Sequence, residues 1–426
     1  MPPIAPVRGT HDLLPDASAA WQWLLDTHRR VAGEHGYRLA DTPVFEHTEL
    51  FERGVGVGTD VVDKEMYTFA DRAGRSLTLR PEGTAGMVRA VLGAHLTQHE
   101  RPVRVHYVGP MFRHDRPQKG RYRQFAQVGV ECIGERSPYL DAEVIEVGWR
   151  FLRALGIDDV TLQVNSLGDP ADRARYRAAL RAYYEPLRDQ LCADCRRRLD
   201  VNPLRLLDCK RDAAHAERAP RLEDSLSATS AQFFDTVLDG LRDAAIPWTR
   251  NWRLVRGLDY YVDTAFEYWH SSLEGAQNAL GGGGRYDGLA EVLGFAATPG
   301  IGYAFGIERL LLIAEQGGSL PPSPPAAEVV VCSLEPGQAT AAAALARGLR
   351  DAAVRTVLDT SERKLGAKLG AADRLGARFC VLVGSDEAMA HEATLRDLRE
   401  RTQERVSAAE LGDRVRRALH PTPDAP

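Results

Sequence analysis

The apolar and polar positions of this chain change their spacing several times, and each spacing predicts a different element. Residues 17–35 carry apolar side chains at helical intervals, whereas 103–108 and 125–133 alternate as strands do. A long charged segment connects these two strands and predicts a hairpin. Hairpin-connected strands with helices between them indicate an antiparallel sheet covered by helices, which is an α+β fold.

The spacing changes again in two later regions. Residues 168–252 are rich in helical pattern and charge and poor in strand pattern, which indicates a helical insertion. The segment 319–327 is rich in proline and serine and is a linker by composition. Strands and helices then alternate over 328–426 and predict a small α/β domain with a partly parallel sheet. We therefore expect a first domain, 1–318, that the insertion interrupts.

Two helix starts are predicted from capping residues. Asp141 is expected to cap a helix that ends at Gly156, because a carboxylate accepts hydrogen bonds from the free N–H groups of a first turn. Ser407 and Glu410 have the spacing of a capping box and are expected to open the last helix.

The segment Gly109–Glu131 carries the most unusual pattern. Its first half is crowded with arginine and lysine, and its second half is a strand that places Phe125, Gln127, Gly129 and Glu131 on one face. Glycine weakens a strand interior unless something approaches closely, so we expect a ligand over Gly129, between Gln127 and Glu131. A basic loop beside such a face predicts a site for an anion next to a cation, and a solvated charged hairpin is the alternative.

Length and composition narrow the class of protein. At 426 residues the chain is long for one core, so two or three domains are expected. The net charge of −5 means that any nucleic-acid contact must come from local basic patches. The start of the chain lacks the apolar stretch of a secretory signal, and no apolar run approaches membrane-spanning length. We therefore expect a cytoplasmic protein with reduced cysteines.

Four further segments have chemistry that could serve a site. They are Leu79–Thr84, Leu254–Tyr261, Gly281–Gly288 and Gly300–Arg309. Each alone has an ordinary explanation, since Glu82 can cap a helix, Arg256 can form a surface ion pair, and the glycines can form a turn. Arg309 can lie over the core with its charged head in water.

Taken together, in this order and spacing, the five segments resemble the histidyl-tRNA synthetase family of class II aminoacyl-tRNA synthetases. Gly109–Glu131 is similar to class II motif 2, and Gly300–Arg309 with the helix after it is similar to motif 3. Leu254–Tyr261 and Gly282–Gly288 are similar to two signatures peculiar to this family. The resemblance implies the class II antiparallel sheet flanked by helices, a helical insertion and a C-terminal α/β anticodon-binding domain.

The resemblance also implies an activity. A histidine–tRNA ligase joins L-histidine to tRNA(His) through a histidyl-adenylate, with Mg²⁺ on the phosphates of ATP and no tightly bound protein metal. The alternative is a paralogue of this family, the regulatory subunit of ATP phosphoribosyltransferase, which binds histidine without aminoacylating. That paralogue usually lacks the C-terminal domain and the ATP-binding arginines, whereas this chain has both.

The residue roles follow from the same resemblance. Arg113 and Arg256 are the expected catalytic residues on either side of the α-phosphate, where the planar fork of arginine binds phosphate oxygens well. The expected histidine-binding residues are Glu82, Gly83, Thr84, Arg113, Gln127, Glu131, Arg256, Tyr260 and Tyr261. The expected ATP-binding residues are Arg113, Arg121, Phe125 and Arg309. Glu131 and Tyr261 would contact the imidazole, while Phe125 and Arg309 would sandwich the adenine.

Two regions are expected to contact tRNA. In the basic loop, Arg116 and Gln118 match positions that face the acceptor end, and a solvated loop tip is the alternative. Asp115 stands where the family commonly has glutamate, which leaves the role of this side chain open.

In the C-terminal domain, three basic residues lie near a predicted helix start. Arg363, Lys364 and Lys368 could contact phosphates of the anticodon arm or form an exposed helix face. The resemblance further implies a homodimer that pairs through the region 37–52, where Pro43 fits the motif 1 proline.

The inserted region contains a possible metal site. Cys192, Cys195, Cys209 and His215 have plausible zinc spacing. Reduced structural thiols on a helical hairpin are the alternative, and because the family requires no metal there, no tightly bound metal is expected.

Overall fold

A twisted eight-stranded sheet forms the centre of the first part of the chain, and a five-stranded sheet forms the second part. The structure is a computed structural model that describes residues 3–56, 59, 61–117, 120–207, 209–254, 260–273 and 278–420. The chain divides into two units, Met1–Pro321 and Pro322–Pro426.

The elements of the first unit are as follows. Its helices are α1 (Pro15–Glu34), α2 (Thr48–Val55), α3 (Thr84–Gly93), α4 (Pro138–Ala154), α5 (Pro170–Tyr184), α6 (Ala193–Val201), α7 (Ala213–Ala216), α8 (Ala228–Asp243), α9 (Leu289–Val292) and α10 (Ile307–Gln316). Its strands are β1 (Arg38–Leu39), β2 (Phe45–His47), β3 (Thr68–Ala70), β4 (Ser76–Leu79), β5 (Val103–Phe112), β6 (Gln124–Ile133), β7 (Val160–Ser166), β8 (Trp248–Arg250), β9 (Val262–His270), β10 (Ala279–Arg285) and β11 (Gly300–Gly306).

The elements of the second unit alternate. Its helices are α11 (Ala339–Asp351), α12 (Leu365–Arg374), α13 (Ser385–Ala390) and α14 (Leu411–Leu419). Its strands are β12 (Val329–Ser333), β13 (Thr356–Asp359), β14 (Phe379–Val383), β15 (Glu392–Asp397) and β16 (Thr402–Ser407). Within the described residues, no helix is both long and apolar enough to cross a membrane.

The large sheet has the strand order β1-β5-β6-β11-β10-β9-β7-β8. Its six inner strands pair antiparallel, and the two edge strands β1 and β8 pair in parallel with their neighbours. The β5–β6 hairpin is longer than its apolar pattern predicts, because pairing continues to Phe112 opposite Gln124. The predictions of an antiparallel sheet and of a hairpin formed by these two strands are confirmed.

The two faces of β6 contact different helices. Val128, Val130 and Cys132 are fully buried in a core to which α1, α4, α8 and α10 contribute. Each of the two valines contributes roughly 1.5–3 kcal/mol through burial. The opposite face, with Gln127 and Glu131, lies on the side of α3. The strand therefore separates an apolar core from a polar face that is itself enclosed.

Asp141 does not cap α4, so that prediction is wrong. The helix begins at Pro138 after Ser137, because proline at the first helical position already has a helical φ. Asp141 lies inside the first turn, fully buried, and forms an ion pair with the buried Arg285. Thr264 donates a second hydrogen bond to its carboxylate at 2.6 Å. The countercharge makes this buried carboxylate tolerable.

Helices α5 to α8 lie between β7 and β8, which are neighbours in the sheet. The chain therefore leaves the sheet and returns beside the strand that it left. Helix α8 packs against α4 and belongs to the main core through Phe234, Val237 and Leu241. Helices α5 and α6 instead contribute to a second core with Leu180 and Leu199.

The second unit has the strand order β13-β12-β14-β15-β16, parallel for the first three and antiparallel for the rest. The predicted partly parallel sheet is thus confirmed. The predicted capping box is wrong, because Ser407 ends β16 and is paired with Glu392. Helix α14 begins only after Glu410, and Ser407 donates to the side chain of Glu410 at 2.9 Å.

Lys368 is the second correction in this unit. It is almost completely buried, and its Nζ donates to the carbonyl oxygens of Ser333 at 2.8 Å and Asp359 at 3.3 Å. Both interpretations of Lys368, as a phosphate contact and as part of an exposed helix face, are therefore wrong. Arg363 is paired with Asp359 at 3.0 Å, and Lys364 precedes α12 at an exposed position.

Candidate active site

A cavity of about 300 Å³ opens in the first unit beside β6, β11 and the start of α3. All five segments that the sequence singles out contribute to its wall. The lining residues include Glu82, Gly83, Thr84, Tyr107, Arg113, Arg121, Phe125, Gln127, Tyr260, Tyr261, Gly281, Gly282, Gly302, Glu308 and Arg309. Segments far apart in the chain therefore meet because the sheet order places β6, β11 and β10 side by side.

Glu82 lies between β4 and α3 and caps that helix. Its carboxylate accepts the backbone N–H groups of Thr84 at 2.6 Å and Ala85 at 3.0 Å, which have no partner within the helix. Burial raises the pKa of Glu82, and the two backbone bonds and Arg113 oppose that shift. The interpretation of Glu82 as a helix cap is confirmed. The same two hydrogen bonds fix the orientation of its carboxylate at the cavity wall.

Glu131 lies directly behind the cavity wall and does not line it. Thr84 donates to its Oε1 at 2.8 Å, and the hydroxyl of Tyr286 donates to its Oε2 at 2.6 Å. The carboxyl group is fully buried, and this burial raises its pKa to about 8 in spite of the two donors. A Cβ at Gly302, opposite it on β11, would lie 1.9 Å from Oε2. The glycine therefore leaves this oxygen next to the cavity.

The space over Gly129 is occupied by a side chain of the protein. Tyr107 is paired with Gly129 across the hairpin, and a Cβ at Gly129 would lie 2.5 Å from its ring. The expectation that a ligand lies over Gly129 is therefore wrong. The glycine admits the Tyr107 ring, which itself lines the cavity.

Polar and aromatic groups line the cavity near Glu82. Oε1 of Gln127 is buried and has no hydrogen-bond partner among the residues that the structure describes. The rings of Tyr260 and Tyr261 lie 4.5 Å apart between centroids. Burial raises the pKa of Tyr107 and of Tyr260 well above the usual value, so both phenols are neutral donors.

Arginines form another part of the wall. Nε of Arg113 donates to the carbonyl of Pro81 at 2.8 Å, and its guanidinium lies 5.6 Å from the ring centre of Phe125. Arg121 forms an ion pair with Asp115, and Arg309 donates to the carbonyl of Ala279. Burial lowers the pKa of Arg113 and of Arg309 from the ordinary arginine value, which is so high that both side chains remain cationic.

Arg116 and two further predicted site residues are not among the described lining residues of the cavity. Arg256 and Gln118 lie outside the described residues. Arg116 is exposed, and its backbone N–H donates to the Asp115 carboxylate at 2.6 Å. The predicted thiol cluster is completed by Asp212 instead of His215, a difference that corrects the predicted ligand set.

The sequence did not single out two residues that line the cavity, Tyr107 and Glu308, or Tyr286 behind its wall. Tyr107 could have been found only from the hairpin register, which the apolar pattern does not fix. Tyr286 lies within the segment Gly281–Gly288, and the glycine pattern does not show that its hydroxyl meets Glu131. Glu308 accepts the backbone N–H of Ala126 at 2.9 Å, and burial raises its pKa to about 7.

The comparisons with known proteins agree with this geometry. A sequence-family model described as "Histidyl-tRNA synthetase" matches residues 9–310, and one described as "Anticodon binding domain" matches residues 328–418. The chain belongs to the histidyl-tRNA synthetase family. A histidine–tRNA ligase of Dehalococcoides mccartyi is 45% identical over 406 residues, which cover 95% of this chain and 97% of the relative. One of Halothermothrix orenii is 43% identical over 414 residues, with 97% and 99% covered.

A solved structure has the same fold. The crystal structure of apo S. aureus histidyl-tRNA synthetase matches with a TM-score of 0.83 and 34% identity, over 97% of this chain and 99% of that one. The predicted family, the fold class and the enzyme class, histidine–tRNA ligase, are thereby confirmed. The regulatory paralogue is not favoured, because curated relatives that match over nearly their whole length are ligases.

Proposed function

We propose that this chain activates L-histidine with ATP and then transfers the histidyl group to tRNA(His). In the first step the histidine carboxylate attacks the α-phosphorus, and pyrophosphate leaves. In the second step a terminal ribose hydroxyl of the tRNA attacks the carbonyl carbon, and AMP leaves. The observation that carries the proposal is that one cavity is lined by both a buried carboxylate and three arginines.

The amino acid would bind where carboxylates and phenols are concentrated. Glu82 and the unpartnered Oε1 of Gln127 suit the ammonium group, since both accept hydrogen bonds. Oε2 of Glu131, beside Gly302, suits an imidazole N–H. Tyr261, with Tyr260 next to it, would complete the contacts to the imidazole. Partners of this kind favour a side chain that can both donate and accept.

ATP would bind along the arginines. Arg113 is next to the Pro81–Glu82 peptide and would hold the α-phosphate close to the amino acid. Arg121 would exchange Asp115 for the distal phosphates, and Phe125 and Arg309 would enclose the adenine. Mg²⁺ would enter on the phosphates as part of the substrate. Fixed cations at the reacting phosphate stabilise the charge that develops there. For Arg256, the second proposed catalytic residue, the family resemblance alone supports the role.

The remaining proposals concern tRNA and assembly. Arg116 and Gln118 would face the acceptor end, and residues 328–426 would bind the anticodon after the linker 319–327. Residues 1–318 would form the catalytic domain, with 168–252 as its insertion, in a cytoplasmic enzyme. We also propose a homodimer through the region 37–52.

Exposed apolar side chains support that dimer. Leu39 is 62% exposed, and Phe45 is 48% exposed. The Phe45 ring lies 6.5 Å from that of Phe69, which is 44% exposed, so they form one apolar surface. Apolar surface of this kind is stabilised by contact with a partner.

Histidine-dependent exchange between ATP and pyrophosphate tests the function. We expect exchange only when histidine is present, and charging of tRNA(His) when the tRNA is added. Arg113→Ala should lower the exchange rate by about 10²-fold or more, because it removes charge at the reacting phosphate. Arg72→Ala changes an exposed arginine of the same chain and is the matched control. Histidine-independent exchange, or none at all, would refute the proposal.

A further inference from the structure

Three thiols and one carboxylate meet in the segment between β7 and β8, and none of the four residues lines the cavity. Cys192, Cys195 and Cys209 and the side chain of Asp212 place their ligand atoms within 4.8 Å of one another. The Sγ atoms of Cys192 and Cys209 are 3.8 Å apart, and Sγ of Cys209 is 3.7 Å from Oδ2 of Asp212. Cys195 is completely buried and Asp212 is 8% exposed.

The two shorter distances match the edges of a tetrahedral metal site. With Zn–S bonds of about 2.3 Å and Zn–O bonds of about 2.0 Å, the edges of a tetrahedron are roughly 3.8 Å between sulfurs and 3.5 Å between sulfur and oxygen. The separations of 3.8 Å and 3.7 Å fall within about 0.2 Å of these values. Thiolate-rich sets of this kind select zinc over Mg²⁺ or Ca²⁺, which bind oxygen ligands.

The local fold supplies the ligands as two pairs with the same spacing. Cys192 precedes α6 and Cys195 lies in its first turn, while Cys209 and Asp212 lie just before α7. The spacing of two intervening residues in each pair is common in structural zinc sites.

A backbone contact fixes the carboxylate. The N–H of Cys192 donates to Oδ2 of Asp212 at 3.1 Å and to Oδ1 at 3.3 Å. This contact joins the two pairs and orients Asp212 toward the thiols. Groups that orient a ligand in this way are a regular part of metal sites.

We propose that Cys192, Cys195, Cys209 and Asp212 bind one structural zinc ion. The four protein ligands close the tetrahedron, so the ion holds α6 and the segment before α7 together and takes no part in catalysis. The proposal replaces His215 of the predicted ligand set by Asp212. It also goes beyond the proposed function, because none of the four ligands lines the cavity.

Metal analysis of the full-length protein, purified without a histidine tag, tests the site. We expect about one equivalent of zinc per chain after incubation with zinc chloride and removal of the free ion. Less than about a tenth of an equivalent would overturn the proposal. Thiol titration of the denatured protein is a second readout, and all six cysteines should react. A loss of two reactive thiols would instead indicate a disulfide and would also overturn the proposal.

Variants identify the fourth ligand. Asp212→Asn and Cys209→Ser should lose most of the zinc, and His215→Ala, the matched control, should keep it. Asp212→Cys should retain zinc, because it supplies a fourth thiolate, and this variant covers the case in which the other two fail to fold. Loss of zinc in His215→Ala with full zinc in Asp212→Asn would overturn the assignment. Substitution with cobalt should give thiolate charge-transfer absorption in the wild type and in His215→Ala.

Discussion

The hydroxyl of Tyr286 donates to Oε2 of Glu131 at 2.6 Å, and both side chains are buried. This bond joins the glycine-rich segment to the central strand β6. It holds the carboxylate in one orientation, with Thr84 on its other oxygen. Glu131 is therefore positioned by neighbours from two other segments before any substrate binds.

Removal of this donor should weaken histidine binding. Tyr286→Phe leaves Oε2 without its partner and raises the pKa of Glu131 further, because the lost bond favoured the charged form. A hydrogen bond to a charged group contributes about 1.5–3 kcal/mol, so we expect the KM for histidine to rise about tenfold or more. The KM for ATP should stay within about twofold.

The exchange assay measures both constants. Tyr139→Phe is the matched control, since Tyr139 is 71% exposed and the change removes the same hydroxyl. An equal rise in both KM values would contradict the proposed role of Glu131.

Histidine binding should release a proton near neutral pH. Burial raises the pKa of Glu131 to about 8, so at pH 7 about nine in ten molecules carry the proton. Neutral imidazole donates to an ionised carboxylate, and binding must therefore displace that proton. Affinity should rise about tenfold per unit between pH 6.5 and 8 and then level off.

Calorimetry in buffers of different ionisation enthalpy counts the proton. We expect about 0.9 protons released at pH 7 and about a quarter of one at pH 8.5. Glu131→Gln should lose this contribution at both pH values and keep only the small proton exchange of the imidazole and amino groups of histidine itself. A release that does not change between these two values would contradict the ionisation of Glu131 on binding.

Much of the fold was predictable because the signals are local. The alternation of Val128 and Val130 and the helical spacing of 17–35 each reflect one element and its buried face. The same reasoning found the cavity segments, since their arginines and glycines are chemically unusual wherever the sheet places them.

The wrong predictions share one cause. In each case the residue that makes the decisive contact lies far away in the sequence. Gly129 was correctly identified as a point of close approach, but only the strand register shows that Tyr107 is what approaches. Asp141 has the chemistry of a cap, and its burial against Arg285 depends on a strand more than a hundred residues later. Lysine is usually exposed, but Lys368 is buried, and its ammonium group donates to backbone carbonyls that lie elsewhere in the sequence.

Gly302 should not tolerate a side chain. A Cβ there would lie 1.9 Å from Oε2 of Glu131 and 2.4 Å from the carbonyl oxygen of Val130. Gly302→Ala must move the carboxylate or the strand, and we expect the free energy of unfolding to fall by about 1–3 kcal/mol. Histidine-dependent exchange should fall with it.

Gly306 on the same strand supplies the control. A Cβ at Gly306 meets nothing within 4 Å, so Gly306→Ala should change the free energy of unfolding by no more than about 0.5 kcal/mol. Denaturant unfolding of both variants provides the comparison. Equal free energies of unfolding for the two alanine variants would contradict the prediction. They would show that β6 and β11 can move apart at Gly302 without a loss of stability.

Substitution of Lys368 should lower the stability of the second unit and leave the surface charge available to tRNA nearly unchanged. Its Nζ is enclosed by two carbonyl oxygens and lies 3.7 Å from the Asp359 carboxylate. Lys368→Met keeps the aliphatic stem but leaves two buried carbonyl oxygens without their donor, which costs about 1–3 kcal/mol, while Arg363 still pairs with Asp359. The exposed Lys364→Met should leave stability unchanged to within about 0.5 kcal/mol.

The two variants separate the roles of the two lysines. Loss of a phosphate contact lowers the salt dependence of tRNA binding by roughly one unit of slope, whereas loss of a buried lysine lowers the melting temperature. We expect Lys368→Met to lower the melting temperature with an unchanged salt slope below that temperature. A reduced salt dependence of tRNA binding with an unchanged melting temperature would indicate that Lys368 contacts tRNA. That result would contradict its buried position.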